Sequence, residues 1–215
     1  MFGEFLRILF TVFLVMDPIG MIPQFLSFTA HYDSKTRKDI ILRAVLIAGM
    51  VLVVFLLVGK LLLEFFGISA GAFYISGGIL FFLIAFGMIY SRPKISRNVP
   101  SGKIGPDEEA EEKTGVSVAL FPLAIPLIAG PGLLTVIIMY VNHGESWLHS
   151  VAMLLPVLII NLVAVFVSLR CSELLIKFFG SMGIFIMEKI MGLILAGFAV
   201  QFIYDGLLAL GIIHP

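Results

Sequence analysis

Two short segments of this chain carry residues that could do chemistry where little else can. Asp17-Pro18-Ile19-Gly20 falls inside the first apolar stretch, and Ala129-Gly130-Pro131-Gly132 inside the fourth. Each belongs to a Pro-x4-Pro segment, Pro18 with Pro23 and Pro126 with Pro131. Asp17 is the only carboxylate near the middle of an apolar stretch. Its chemistry would be contact with an ammonium group or a cation, or exchange of a proton. Asp before Pro is also an ordinary helix start, with the carboxylate capping the first turn. The two readings are compatible, because a helix restarting inside a membrane is itself a binding site.

Gly20, Gly130 and Gly132 flank the prolines. Glycine lets a ligand come close to the main chain. A helix restarting after a break aims unpaired N–H groups and the positive end of its dipole at that ligand. This suits a carboxylate, and no Lys or Arg lies deep in an apolar stretch to hold one instead. The plainer role for these glycines is close helix crossing. Other mid-span polar residues are few: Ser76, Thr135 and Asn161, with Gln201 further along the last stretch. Asn161 is the next candidate for substrate contact, with a hydrogen bond between helices as its alternative.

Glu64, Glu173, Glu188 and Asp205 fall near the ends of stretches and read as solvated or paired anchors. The four histidines, His31, His143, His149 and His214, form no metal-binding pattern. No second Asp accompanies Asp17 at depth, no Ser/His pair does, and no Gly-x4-Gly-Lys-Ser/Thr loop appears. The chain therefore reads as a non-enzyme without cofactor or metal.

Proline removes a backbone donor and clashes with the preceding turn, so an unbroken helix tolerates these pairs poorly. In lipid the carbonyls freed by such a break need partners in protein or in a wet cavity. The environment is lipid: 60% of the residues are hydrophobic and 13% charged, against about a quarter charged in soluble domains. A net charge of zero argues against a nucleic-acid partner. The one cysteine, Cys171, rules out an intramolecular disulfide. Six stretches approach the roughly 20 residues needed to cross a bilayer: 5–28, 40–63, 70–91, 117–141, 148–170 and 184–209. Glu4 and the lack of a small-x-small cleavage site mark the first as a retained span and not a signal peptide.

Residues 92–115 are rich in Pro, Gly, Ser and charge and read as a flexible linker between two halves, 1–91 and 116–215. Of the 14 Lys and Arg, only Arg7 and Lys60 fall on the side opposite that linker. The positive-inside rule then places the linker in the cytoplasm and both termini outside a multi-pass inner-membrane protein. Three spans per half invert one half relative to the other. Both the proline pairs and Phe65-Phe66-Gly67 with Phe178-Phe179-Gly180 recur at corresponding places. The expected fold is all-α and polytopic, six spans in a 3+3 inverted repeat, with broken helices or re-entrant hairpins at spans one and four.

Phe13-Leu14-Val15-Met16-Asp17-Pro18-Ile19-Gly20-Met21-Ile22-Pro23 resembles the opening motif of the MarC family of six-span membrane proteins. Phe121-Pro122-Leu123-Ala124-Ile125-Pro126-Leu127-Ile128-Ala129-Gly130-Pro131-Gly132 is similar to that family's second motif. The chain departs from the first motif at Met21, where the family often carries Asn. The resemblance implies a secondary transporter of small neutral amino acids such as glycine and alanine, coupled to H+ or Na+. It does not carry drug export with it. Its partners would be that amino acid and the lipid bilayer, and a homo-oligomer stays open. The rival readings are a passive channel for small neutral solutes and a non-transporting membrane scaffold.

Overall fold

A computed structural model describes residues 2–90, 119–143 and 146–214. The expected linker, 92–115, lies outside the described residues. Among them the secondary structure is entirely helical: α1 (Phe2–Met16), α2 (Ile22–Phe28), α3 (Ser34–Phe65), α4 (Ala70–Tyr90), α5 (Ala119–Ile128), α6 (Pro131–His143), α7 (Trp147–Arg170) and α8 (Ser172–Ala209). Four of these, α3, α4, α7 and the Met182–Ala209 part of α8, are long and apolar enough to cross a membrane. The stretches at 5–28 and 117–141 are instead pairs of shorter helices, 15 with 7 residues and 10 with 13.

The prolines account for both divisions. A residue before proline is pushed out of the helical region. Phe121, before Pro122, has φ −136° and ψ 127°, and Ile125, before Pro126, has φ −131° and ψ 123°. The winding of α5 is correspondingly wide, and Ala129 N–H bonds to the carbonyl of Ala124, five residues back, at 2.9 Å. Pro131 then opens α6, where its missing N–H costs nothing. In the first half α1 closes on Asp17, whose N–H bonds to Phe13 O at 3.0 Å and whose φ is +45°. The next helix does not restart at Pro18. A turn intervenes, and α2 begins at Ile22 with Pro23 in its first turn.

Outside the breaks the helix ends are conventionally capped. The Asp33 carboxylate accepts the Lys35 N–H at 3.2 Å and the Thr36 N–H at 3.4 Å to open α3. The Thr36 hydroxyl and these amides hold its carboxyl below the usual carboxylate range. Arg37 donates through Nε to Thr29 O at 3.0 Å and pairs with Glu173 at 2.8 Å, joining the start of α3 to the start of α8. Glycine's freedom is used at two matching places. Gly67 (φ +65°) precedes α4 and Gly180 (φ +68°) bends α8. The phenylalanines beside them stack edge to face alike, Phe65 on Phe66 at 5.2 Å and Phe178 on Phe179 at 5.1 Å.

The largest seam joins α4 to α8. Small residues recur on it every seven positions, Gly71, Gly78 and Ala85 facing Gly206, Ala199 and Gly192 in antiparallel order. A Cβ on Gly206 would lie 2.7 Å from Gly71 O, and one on Gly78 2.7 Å from Ala199 O, so the two backbones touch. The first helices of each half lie on the second helix of the other: α1 and α2 on α7, α5 and α6 on α3. Ala44 and Ala48, four apart on α3, are buried in the core, whereas Ala72 and Ser76, four apart on α4, face outward. Large apolar side chains such as Leu46, Met50, Leu83 and Leu193 are exposed around the outside, as contact with lipid requires.

Substituting Gly78→Ala sets a methyl against backbone and is expected to lower the thermal midpoint in detergent, at a cost of about 1–3 kcal/mol. Gly87→Ala, where nothing lies within 4 Å, is expected to leave it unchanged or raise it. Equal midpoints for the two variants would contradict the seam.

Candidate functional site

Both breaks open on one cleft of about 470 Å³. Asp17, Gly20 and Met21 reach it from the first break and Gly130, Pro131 and Gly132 from the second, with Phe81 and Met88 of α4 and Glu188 and Leu195 of α8 closing the sides. The sequence candidates Asp17, Gly20, Gly130 and Gly132 are therefore brought together, although more than a hundred residues separate the two segments.

Asp17 is held by local geometry. Its positive φ is one that Asp tolerates better than most residues, and its Oδ1 accepts the Gly20 N–H at 3.1 Å. A Cβ on Gly20 would fall 1.9 Å from Asp17 Oδ2, so only glycine leaves the carboxylate its place. Asp17 lies in the cleft but is not a helix N-cap: α2 begins at Ile22 behind Met21, and the carboxylate instead closes the turn that precedes it. The bond has a consequence for the amides. The N–H groups of Gly20, Met21 and Ile22 are taken by Asp17 Oδ1, Asp17 O and Ile19 O. At the first break these three amides are thus satisfied locally, and the carboxylate faces the cleft.

The second break does the reverse. The first α-helical bond of α6 runs from Leu134 N–H to Gly130 O at 3.2 Å. The N–H groups of Gly132 and Leu133 stand ahead of that ladder, at the positive end of the helix dipole, and both residues line the cleft. Gly132 is fixed by its neighbour, since a Cβ there would lie 2.1 Å from the Phe81 ring. That ring in turn stacks on Phe202 of α8 at 5.3 Å.

The remaining candidates lie elsewhere. Pro18 is buried within the first turn, Pro23 is exposed on α2, and Pro126 shapes α5. Asn161 is not among the lining residues. It is buried on α7, and its Nδ2 donates to Val157 O at 2.9 Å and to Leu9 O at 3.4 Å, a tie between α7 and α1. Thr135 bonds back to Pro131 O and Ser76 to Phe73 O, each within its own helix. Gln201 bonds Asp205.

Glu188 is the residue that sequence reasoning missed. It reads as a span-end anchor, yet it lines the same cleft as Asp17. The signal was its phase: Glu188, Gly192, Leu195 and Ala199 fall four, three and four residues apart, on one face of α8. That face is the one packed on α4.

A family model described as MarC family integral membrane protein matches residues 2–210. This chain belongs to the MarC family. Its MarC relatives include the UPF0056 inner membrane protein YhgN of Escherichia coli, 36% identical over 195 residues, which are 90% of this chain and 91% of that protein. The UPF0056 membrane protein MJ0972 of Methanocaldococcus jannaschii is 34% identical over 93% of this chain and 85% of its own. A UPF0056 membrane protein of Buchnera aphidicola subsp. Baizongia pistaciae is 35% identical over 95% and 96%. These names assign membrane residence and no activity. No solved structure matches this MarC chain.

If Asp17 is held as described, Asp17→Asn keeps the acceptor for Gly20 and is expected to change stability by less than about 0.5 kcal/mol. Asp17→Leu loses the acceptor and strains the positive φ, with an expected loss of about 1–2 kcal/mol. Thermal midpoints in detergent separate these outcomes, and equal losses would refute the local account.

Proposed function

We propose that this MarC protein is a secondary transporter of small neutral amino acids of the glycine and alanine class. The observation that carries the reading is the opposite polarity of the two breaks around one cleft. Asp17 supplies an acceptor for an ammonium group, and the amides of Gly132 and Leu133 at the start of α6 supply donors for a carboxylate. A zwitterion with almost no side chain suits walls made of Gly20, Gly130 and Gly132. It fills only part of about 470 Å³, which leaves room for a coupling H+ or Na+. No catalytic step is involved, and no resident cofactor is required.

In this reading the helix pairs α1–α2 and α5–α6 are spans one and four, and with α3, α4, α7 and α8 they make six spans in a 3+3 inverted repeat. The halves are 1–91 and 116–215, joined by the cytoplasmic linker 92–115. Three observations support the repeat. The paired prolines break both first spans, Gly67 and Gly180 share one backbone conformation beside like phenylalanine pairs, and each half's first helices lie on the other's second. The Arg37–Glu173 pair joins two loops that the Lys/Arg distribution assigns to the same, cytoplasmic side. The membrane is the inner one, as in the name of the Escherichia coli relative. Alternating access follows from rocking one half against the other around the cleft.

Counterflow tests this. Purified protein in liposomes preloaded with unlabelled alanine is expected to accumulate external radiolabelled glycine transiently above equilibrium. Asp17→Asn is expected to cut the initial rate about tenfold, the effect of losing one charge-assisted contact. Equilibration without overshoot would mean a channel, and no flux would sink the transport reading.

A further inference from the structure

A second, smaller pocket of about 100 Å³ lies where α3 starts, α7 ends and α8 starts. Its floor is apolar, with Phe25, Ile41 and Leu169 all buried. Three cations, Arg37, Lys38 and Arg170, line it together with one carboxylate, that of Glu173. Arg37 uses two of its five N–H groups, Nε on Thr29 O and one Nη1 hydrogen on Glu173. Among the described residues its other three have no partner, and neither Lys38 nor Arg170 is paired with a carboxylate.

The surroundings of the pocket are those of a membrane surface. Both α3 and α7 are long and apolar enough to cross a bilayer, so the charged ends that meet here lie at its edge. Leu42 and Leu46, four and eight residues on from Lys38 and on the same face of α3, are exposed. Val167 and Val163, three and seven residues back from Arg170 on α7, are exposed as well. Each of these two cations therefore stands at the end of an apolar strip of its own helix. The Lys/Arg distribution assigns this side to the cytoplasm, where the leaflet surface is negative.

We propose that the pocket binds the headgroup of an anionic phospholipid. Lys38, Arg170 and the remaining N–H groups of Arg37 hold its phosphate, and its acyl chains lie along the exposed strips of α3 and α7. Arginine and lysine together give a phosphate both directed donors and a point charge. Three cations against one carboxylate favour a lipid of net negative charge over one whose headgroup carries its own ammonium. The strips favour a phosphate that bears acyl chains over inorganic phosphate, which gains nothing from apolar contact. A lipid so placed ties the start of α3 to the end of α7.

Native mass spectrometry of the full chain in neutral detergent tests this, and no readout depends on transport. Phosphatidylglycerol is expected to bind at least about tenfold more tightly than phosphatidylcholine with the same chains. Lys38→Gln combined with Arg170→Gln is expected to weaken phosphatidylglycerol about thirtyfold. Lys35→Gln combined with Lys177→Gln removes the same charge from exposed residues outside the pocket. That pair is expected to weaken binding less than about threefold. Lys38→Arg combined with Arg170→Lys keeps the charge and is expected to stay within about threefold of the wild type. Inorganic phosphate at about a hundred times the lipid concentration is expected to leave the bound lipid in place. Equal affinity for the two lipids would overturn the proposal, as would equal losses in the two glutamine pairs. Displacement by inorganic phosphate would assign the pocket to a soluble anion and overturn the lipid site.

Discussion

Hydrocarbon offers a peptide group no hydrogen-bond partner, so every N–H and C=O at membrane depth must find one within the protein. Five prolines in two apolar segments break that pairing, and the architecture follows from how the protein restores it. At the first break a turn carries the chain from Asp17 to Met21, and the aspartate's own side chain absorbs the Gly20 amide. At the second, the winding widens until Ala129 reaches Ala124, and Pro131 occupies the first helical position, where no donor is needed. The same sequence device thus has two solutions. One leaves an acceptor facing the cleft and the other leaves donors.

On the transport reading, that difference is what turns two like breaks into a site. Two identical breaks facing each other would offer like poles and hold nothing dipolar. Here Asp17 opposes the start of α6, and the glycines at 20 and 132 keep the Asp17 carboxylate and the Phe81 ring where they are. Phe81 leans on Phe202, so the floor of the cleft is continuous with the α4–α8 seam. Movement of α8 against α4 would therefore be felt directly at Gly132.

The breaks were legible because proline acts locally: the residue before it leaves the helical region whatever surrounds it, as Phe121 and Ile125 do. Asp17 was legible because a carboxylate in an apolar run has few explanations. Where α2 restarts was not, since the competition between a turn and a helix at Pro18 is settled by the Asp17–Gly20 bond and by packing on α7. Glu188 was misread because distance from the end of a stretch says nothing about which way a helix face points. Asn161 showed the converse. A polar side chain at depth attracts a functional reading, yet its partner proved to be a carbonyl of α1, a contact set by tertiary structure. Residues 92–115, the linker of the sequence reading, fall outside the described residues.

The α4–α8 seam also bears on how the protein is made. Gly71 and Gly78 give α4 a face of bare backbone whose complement, Gly192 to Gly206, belongs to α8, far later in the chain. Lipid chains fill so narrow a groove poorly, and consecutive spans α3 and α4 share little contact that could cover it. Until α8 arrives, α4 therefore presents an unfinished surface to the bilayer, and packing of α8 on it completes the seam.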